Sequence, residues 1–336
     1  RSRGLGDVYK RQGPAESASL TGSVLVASFT GTKLRWLRDN EPDNAARVAS
    51  VALPHDYLTW HLGGRKELTT DHGDASGTGY YSTWQRKFVP DLAERYLGHA
   101  VTLPRIAAPN EIVGTTATGA AIAAGTGDNM AAALGLNLQP GDVCVSIGTS
   151  GVASAVSDRS VHDPSGLVTG FADATGNYLP LACTLNGAKI LDFAAMLLGV
   201  DHSGLSELAL AGAPGAHGVT LLPYFDGERT PNRPSATGLF SGIRTTTTRE
   251  DIARAVVEGL LCSMLDAVEA VENAMESRAR RVLMIGGGAR SEAMRVIAPQ
   301  IFEVNVAVPD PSEYVALGAA RQACLLYTSD AAVDLL

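Results

Sequence analysis

The C-terminal third of the chain constrains the fold more than any other part. Apolar residues recur with a 3.6-residue period over residues 249–277, which predicts one long helix with a buried face. Thr248 with Asp251, or Thr247 with Glu250, offers a capping box at its start. Shorter elements come next in the order strand, helix, strand, helix, at residues 282–285, 291–301, 304–308 and 314–324. Such alternation predicts an α/β layer with a mixed sheet.

The upstream sequence adds further elements of both kinds. Helices are predicted at residues 29–40, 91–97, 128–136 and 187–198, and strands at residues 119–124, 143–147, 152–156 and 178–185. In the first helix Leu34 and Leu37 share a face, and in the last Ile190, Phe193, Ala194 and Leu197 have core spacing. Residues 70–78 are predicted to be a polar loop. A turn at residues 139–142 divides the chain into predicted domains at 21–138 and 139–324.

Composition narrows the class of protein. The 336 residues are 45% apolar and 18% charged, which predicts a globular chain large enough for two domains. The net charge of −8 disfavours nucleic acid as a partner. No apolar run reaches the length that a bilayer span needs. Four widely spaced cysteines form no Cys-x-x-Cys pair, which favours a reducing cytoplasm over a disulfide framework.

The two ends of the chain do not continue the pattern of the rest. Residues 1–12 carry no core pattern that continues into residue 13 and beyond, and residues 325–336 depart from the preceding helix. We therefore predict non-native tails at 1–20 and 325–336 and leave them out of the fold argument. Frayed native termini are the alternative.

Asp128 is the strongest candidate for chemistry. It comes directly after Gly125-Thr126-Gly127 and opens a predicted helix, and an Asp at that place is commonly a helix cap. The glycines, however, leave its carboxylate uncrowded, and a helix N-terminus favours the ionised form. Such a carboxylate could accept the proton of a substrate hydroxyl that attacks phosphorus, with Asn129 binding the same polyol.

Two glycine-rich turns are candidates for binding phosphate. Residues 148–151, with Gly148 and Thr149, join two predicted strands, so they are a hairpin loop or a backbone cradle for phosphate oxygens. Residues 286–289 lie between a strand and a helix, where a ligand can approach the backbone closely, or where the chain simply turns tightly. The last glycine of a Gly-x-Gly-x-x-Gly motif is missing there, which disfavours a dinucleotide site.

Other familiar motifs are missing from the sequence. The seven histidines have no metal-ligand spacing and are interpreted as surface or structural residues. There is no Gly-x-Ser-x-Gly elbow and no Walker A loop.

In their order and spacing, several segments resemble the FGGY carbohydrate kinases. They are residues 29–42, 53–58, 70–78, 125–129, 146–151, 222–231 and 286–291. The likeness covers about residues 24–324. In the segment 70–78, Asp74-Ala75-Ser76-Gly77-Thr78 is similar to the members that phosphorylate D-xylulose, where a glycerol kinase would have Asn-Ala-Ser-Arg.

The resemblance implies a two-lobed α/β fold of the actin, hexokinase and heat-shock ATPase kind, which is ribonuclease H-like, with the site in the cleft. Asp128 would be the general base and Asn129 a sugar contact. The cofactor would be ATP with Mg²⁺, bound by residues of both glycine turns and the strand-to-helix connection before residue 190: Gly148, Thr149, Gly187, Gly287, Gly288 and Ala289. The partners would be a small sugar and ATP, with no nucleic acid, no membrane and a possible homodimer.

Two family features are missing from this chain. An Asp-x-Gly-Thr loop and a Gly-Gln-Met-His-Gly sugar loop are expected in the first lobe, and neither occurs here. We therefore expect an incomplete first lobe and an inactive fragment, so that the assignment concerns the parent protein. The alternatives are a kinase for ribulose, gluconate or glycerol, or a catalytically dead sugar- or nucleotide-binding protein. A nicotinamide enzyme is disfavoured by the glycine spacing.

Overall fold

The computed structural model describes residues 13–326, and its elements are numbered in chain order. The helices are α1 (Pro14–Thr21), α2 (Thr30–Asn40), α3 (Pro42–Ala45), α4 (Pro54–Leu62), α5 (His72–Ala75), α6 (Pro90–Leu97), α7 (Asp128–Gly135), α8 (Lys189–Leu198), α9 (His202–Ala211), α10 (Arg249–Met275), α11 (Glu292–Phe302) and α12 (Tyr314–Cys324). The strands are β1 (Thr69–Thr70), β2 (Tyr81–Ser82), β3 (Lys87–Phe88), β4 (Arg105–Ile106), β5 (Ile112–Thr115), β6 (Ala121–Ala123), β7 (Asp142–Ile147), β8 (Gly151–Ala155), β9 (Val168–Ala172), β10 (Tyr178–Thr184), β11 (Thr220–Leu222), β12 (Leu239–Ser241), β13 (Arg281–Ile285) and β14 (Asn305–Ala307).

The described residues divide into two units. Unit 1 contains residues 13–138, 156–180 and 313–326, and unit 2 contains residues 139–155 and 181–312. Unit 1 is therefore discontinuous in sequence. The division of the chain into domains at residues 21–138 and 139–324 therefore stays a prediction from the sequence.

Unit 2 is built on a mixed sheet. Its strands lie in the order β14-β13-β7-β8-β10. Strand β13 pairs in parallel with β14 and with β7, whereas β7–β8 and β8–β10 are antiparallel. The predicted mixed sheet and the predicted hairpin of β7 and β8 are both confirmed. Because β7 and β13 run parallel, their carboxyl ends meet at one edge of the sheet.

The long helix α10 is the centre of the unit 2 core. Its apolar side is buried along its whole length, as the 3.6-residue period predicted. The helix packs against α9, α11, β8 and β11. Thr248 accepts a hydrogen bond from the Asp251 backbone N–H, and the Asp251 side chain accepts one from the Thr248 N–H, which selects this capping box over the Thr247–Glu250 alternative.

The predicted core face of α8 is partly wrong. Ile190 and Ala194 are buried, but Phe193 and Leu197 are 36% and 55% exposed. The Phe193 ring instead meets the Phe225 ring edge to face, with the ring centres 4.8 Å apart. The connection between α8 and β11 contains helix α9, which the sequence analysis did not predict.

Unit 1 has its own apolar core. Helices α2 and α6 supply Leu34, Leu92 and Tyr96, which pack with Phe29 and Tyr80. Leu37 packs against the same cluster, so the predicted shared face of Leu34 and Leu37 is confirmed. Helices α7 and α12 form a second packed pair.

Three other segments of unit 1 qualify the sequence predictions. Residues 70–78, predicted to be a loop, contain helix α5 and a 3-10 turn at Ser76–Thr78, because the Asp71 side chain caps the first turn. Strand β9 was not predicted. Residues 13–20 of the predicted N-terminal tail belong to the segment that forms α1, and Ala18 is buried there. The remainder of that tail, at 1–12, and residues 327–336 of the other lie outside the described residues.

A search of the helices in the described part of the chain finds none with the length and apolar character of a membrane span.

Candidate active site

Asp128 is the first residue of α7, and its side chain is exposed. The N-cap position is occupied by Gly127, and Asp128 caps no later turn of the helix. Its Oδ1 atom accepts hydrogen bonds from the Asn129 backbone N–H at 2.7 Å and from Asn129 Nδ2 at 3.1 Å. The carboxylate therefore keeps acceptor capacity toward solvent, where a substrate hydroxyl could reach it.

The glycines before Asp128 bring two other segments of unit 1 against this turn. Gly125 has a positive φ of 82°, and a Cβ built on it would lie 3.3 Å from His55 Nε2. A Cβ on Gly127 would lie 3.4 Å from Asp74 Oδ1. The turn that carries Asp128 thus rests on His55 and Asp74, which come from α4 and α5.

His55 lies among three carboxylates. Its Nδ1 atom is 2.8 Å from Asp56 Oδ1, and its Nε2 atom is 2.9 Å from Asp71 Oδ1 and 3.7 Å from Asp74 Oδ2. Asp56 and Asp71 are buried, whereas the side chain of His55 is one quarter exposed. The interpretation of His55 as an ordinary surface or structural histidine missed this cluster, because its members are divided between two segments, 53–58 and 70–78.

The surroundings of His55 and Asp74 shift both pKa values. Burial alone would lower the pKa of His55, but its contacts with the Asp56 and Asp71 carboxylates outweigh burial and raise the pKa to about 10. Burial raises the pKa of Asp74 to about 6, and the nearby carboxylates of Asp71, Asp56 and Asp128 add to the rise against the effect of His55. At neutral pH His55 is therefore an imidazolium.

The same cluster could hold a cation by distance alone. His55, Asp71 and Asp74 each offer an atom within 4.8 Å of the other two. A metal, however, needs a neutral imidazole with a free nitrogen. Both ring nitrogens of His55 lie within 3 Å of a carboxylate oxygen, Nε2 with hydrogen-bond geometry to Asp71 and Nδ1 without it to Asp56, so the cluster fits an ion pair better than a metal.

In unit 2 the turn between β7 and β8 meets the start of α8. The Ala188 N–H donates to the Gly148 carbonyl at 2.7 Å, and the Gly148 N–H donates to the Ser150 carbonyl at 3.0 Å. A Cβ on Gly187 would lie 2.4 Å from the Gly148 oxygen, so only glycine allows this approach. Thr149 is exposed at the tip of the turn.

The triple-glycine turn lies at the same edge of the sheet. It comes directly after β13, the parallel neighbour of β7, and Gly286 has a positive φ of 91°. Cβ atoms on Gly286 and Gly288 would lie 2.6 Å and 2.5 Å from atoms of Ile147, the last residue of β7. Gly287 faces open space. The two glycine turns of the sequence analysis are therefore neighbours within unit 2.

A cavity of about 630 Å³ adjoins the triple-glycine turn and lies wholly within unit 2. Its wall combines apolar and glycine positions with charged side chains, among them Leu191, Gly287, Gly288, Asp192, Arg290 and Arg295. This volume is in the usual range for a small-molecule site. Ala289 is buried and does not line the cavity, and neither do Gly148, Thr149 and Gly187, although Ala188 does.

The buried carboxylate of Glu228 stabilises the connection between β10 and α8, which contains Gly187. The two Glu228 oxygens accept hydrogen bonds from the Leu185 and Arg229 backbone N–H groups and from Asn186 Nδ2. Thr184 Oγ1 accepts from the Gly151 N–H at 3.0 Å and donates to the Asn186 carbonyl at 2.7 Å. These contacts fix the backbone of residues 184–186, directly before Gly187. Glu228 lies in a segment used for the family resemblance, but its sequence context gave no sign of this role.

Comparison with solved structures assigns the fold to the actin- and hexokinase-like sugar kinases. The crystal structure of xylulose kinase from Bifidobacterium adolescentis matches with a TM-score of 0.86 and 45% identity over 93% of this chain and 68% of that chain. The fold therefore places the chain in the class of the carbohydrate kinases. The fold alone is also shared with gluconate kinase from Lactobacillus acidophilus, at a TM-score of 0.89, 22% identity, and coverage of 98% and 70%.

The chain belongs to the FGGY family of carbohydrate kinases. The family model of the N-terminal domain matches residues 5–136, and that of the C-terminal domain matches residues 143–327. A xylulose kinase from Streptomyces coelicolor is 45% identical over 321 residues, which cover 93% of this chain and 65% of the relative. The chain thus spans about 65% of the length of that curated relative.

Proposed function

We propose that the protein containing this chain transfers the γ-phosphoryl group of ATP to D-xylulose and forms D-xylulose 5-phosphate. The similarity to xylulose kinases over 93% of the chain supports this substrate. The observation that carries the proposal is the Asp128 carboxylate, which is exposed at the start of α7 and is not used as a helix cap.

Asp128 is the proposed general base. As the acceptor hydroxyl attacks phosphorus, its proton moves to a carboxylate oxygen of Asp128, while the electron pair of the broken bond goes to ADP. A helix N-terminus favours the ionised carboxylate that this step needs. Asn129, whose amide already contacts Asp128, is the proposed hydrogen-bonding partner of a neighbouring sugar hydroxyl.

Unit 2 is the proposed ATP-binding unit. The cavity beside Gly287 and Gly288 would take the nucleoside, and the Thr149 hydroxyl, which the turn beginning at Gly148 exposes, would bind phosphate oxygens. The glycines at 148 and 187 bring backbone groups close together, as a phosphate site requires. Ala289 is buried and would act only through its backbone.

Mg²⁺ is expected with ATP from the family resemblance. Among the described residues, the one group of three or more His, Cys, Asp or Glu side chains with metal-compatible spacing is the His55 cluster of unit 1, which fits an ion pair better. Mg²⁺ commonly binds through substrate phosphates, waters and one or two carboxylates. When bound it would neutralise phosphate charge, and no step above depends on a protein ligand to it.

Turnover of an Asp128 variant tests the proposal. The full reading frame containing the chain is assayed for ADP release with D-xylulose. Asp128→Asn keeps the shape of the side chain and removes the base, so the kcat should fall by about 10²–10⁴-fold. ATP binding, measured by calorimetry, should not change. Asp91 is the matched control because it is an exposed Asp in the first turn of α6. Asp91→Asn should keep full activity, and undiminished turnover in Asp128→Asn would eliminate the proposed base.

A substrate panel tests the specificity. D-xylulose, D-ribulose, gluconate and glycerol are compared by kcat/KM under the same conditions. The highest value for D-xylulose supports the proposal, and a higher value for another acceptor replaces it. If none of the four compounds is phosphorylated, the result would favour a catalytically dead binding protein. A cytoplasmic location and a homodimer remain predictions.

A further inference from the structure

The cluster of His55, Asp56, Asp71 and Asp74, close to the turn that carries Asp128, contains more charge than helix capping requires. Three carboxylates, those of Asp56, Asp71 and Asp74, surround the single cation His55 within 3.7 Å of its ring nitrogens. Two of these acids are almost fully buried. Burying carboxylates close together is unfavourable unless a cation or hydrogen bonds compensate.

The buried acids do have local structural roles. Asp56 Oδ2 accepts the Leu53 N–H at 2.7 Å, which begins α4. Asp71 Oδ2 accepts the Gly73 N–H at 2.7 Å, which begins α5. Their second oxygens both point to His55. The imidazole ring, which belongs to α4, therefore joins the N-terminal ends of the consecutive helices α4 and α5.

The same ring lies against the turn that carries Asp128. A Cβ on Gly125 would lie 3.3 Å from its Nε2 atom, and one on Gly127 would lie 3.4 Å from the Asp74 carboxylate, so neither position has room to spare beside this cluster. Gly127 is the N-cap residue of α7, so its position determines where the helix begins. A shift of His55 or Asp74 would therefore displace Asp128 directly.

We propose that His55 is a positioning residue for Asp128, because its imidazolium fixes the turn at residues 125–127 and balances the acidic groups around it. This inference rests on the proposed role of Asp128 as the base. His55 acts through the turn and the neighbouring acids, without contact to the acceptor. Its action has two parts, one geometric and one electrostatic, and these can be separated by substitution.

Charge and shape are tested with two variants. His55→Gln keeps a polar side chain and removes the cation, whereas His55→Lys keeps the cation and removes the ring. Without the cation, the pKa of Asp74 loses the lowering effect of His55, so Asp74, beside the turn that carries Asp128, should hold its proton to higher pH. The acidic limb of the kcat profile should move up by about 0.5–1 pH unit in His55→Gln and far less in His55→Lys. The KM for ATP should stay within about twofold, since unit 2 is unchanged.

His61→Gln is the matched control. His61 lies on the same helix α4, its side chain is exposed, and its ring faces Tyr57 and Arg65. This variant should have the wild-type pH profile. A His55→Gln profile that coincides with that of His61→Gln, or equal losses in His55→Gln and His55→Lys without a shift in pH, would overturn the electrostatic part and leave only a packing role.

A readout without turnover separates this inference from the proposed function. Nitrogen NMR of the wild-type chain should show the His55 ring doubly protonated at pH 8, since the contacts with Asp56 and Asp71 raise its pKa to about 10. The amide signals of residues 125–129 should shift in His55→Gln and stay in place in His61→Gln. A neutral ring at pH 8, or unmoved amides, would refute the positioning role whether or not D-xylulose is phosphorylated.

Discussion

The contact between α7 and α12 makes a prediction that opposes simple helix propensity. Gly318 in α12 lies directly over Ala131 of α7, and a Cβ added to Gly318 would lie 1.7 Å from the Ala131 carbonyl oxygen and 2.5 Å from its carbonyl carbon. The contact is reciprocal, since a Cβ on Gly135 would lie 2.0 Å from the Tyr314 oxygen. Gly318→Ala should therefore destabilise the protein, although alanine is the better helix former.

The magnitude can be worked out from these distances. Ordinary contacts of a Cβ begin near 3.4 Å, so the two helices would have to separate by about 1.7 Å. Alanine gains about 1 kcal/mol over glycine in a helix interior. Overpacking costs about 1–3 kcal/mol and more where the obstacle is backbone, as it is here. We expect a net loss of about 2 kcal/mol, which for a chain of 336 residues lowers the Tm by roughly 3 °C.

Thermal unfolding and turnover are the two assays. Asp128 begins α7, so a displacement of this helix should also reduce kcat, by as much as about 10²-fold for a 1 Å error in position. Gly204→Ala is the control, because Gly204 also lies in a helix but meets only side-chain atoms, at 3.0 Å and beyond. Equal or higher Tm for Gly318→Ala than for Gly204→Ala would refute the reasoning from close backbone contact.

Two further predictions concern buried or half-buried carboxylates. Because burial raises the pKa of Asp74 from 3.8 to about 6, its contribution to stability is present below pH 4 and is lost as the pH rises through 6. Asp74→Asn should therefore be more stable than the wild type by about 1–2 kcal/mol in urea unfolding at pH 8 and lose this advantage at pH 4. A gain in stability that does not depend on pH would contradict the raised pKa of Asp74. Glu228→Gln replaces an acceptor oxygen by a donor amide that faces other donors, so it should lower the free energy of unfolding by about 1–3 kcal/mol and weaken ATP binding in calorimetry. The control is Asp226→Asn, at a side chain that is 70% exposed, which should lower the free energy of unfolding by less than about 1 kcal/mol. Equal effects of the last two substitutions would show that Glu228 does not support the turn.

Local sequence patterns predicted the elements whose stability comes from their own residues. Helix α10 and its capping box, the hairpin of β7 and β8, and the start of α7 at Asp128 all appeared at the expected places. In each case a hydrophobic period, a cap or a glycine turn acts within a few residues. Such signals do not depend on which other segment packs nearby.

The predictions failed where a distant segment decided the outcome. Phe193 has core spacing on α8, but its ring packs edge to face on Phe225 and remains partly exposed. Residues 70–78 are a different case, because the Asp71 side chain caps the first turn of α5 locally and the surrounding turn formers obscured that signal. Periodicity cannot show which face of a helix finds a partner.

The sequence by itself determined the family, the α/β class, the candidate general base and the candidate phosphate-binding turns, because each of these depends on short motifs in a fixed order. Only the tertiary structure showed that the two glycine turns lie at one edge of a sheet, and that His55 lies among the carboxylates of Asp56, Asp71 and Asp74 close to the turn that carries Asp128. The reason is physical. Charge balance and backbone approach depend on distances between residues that are far apart along the chain, and a linear pattern contains no such distances.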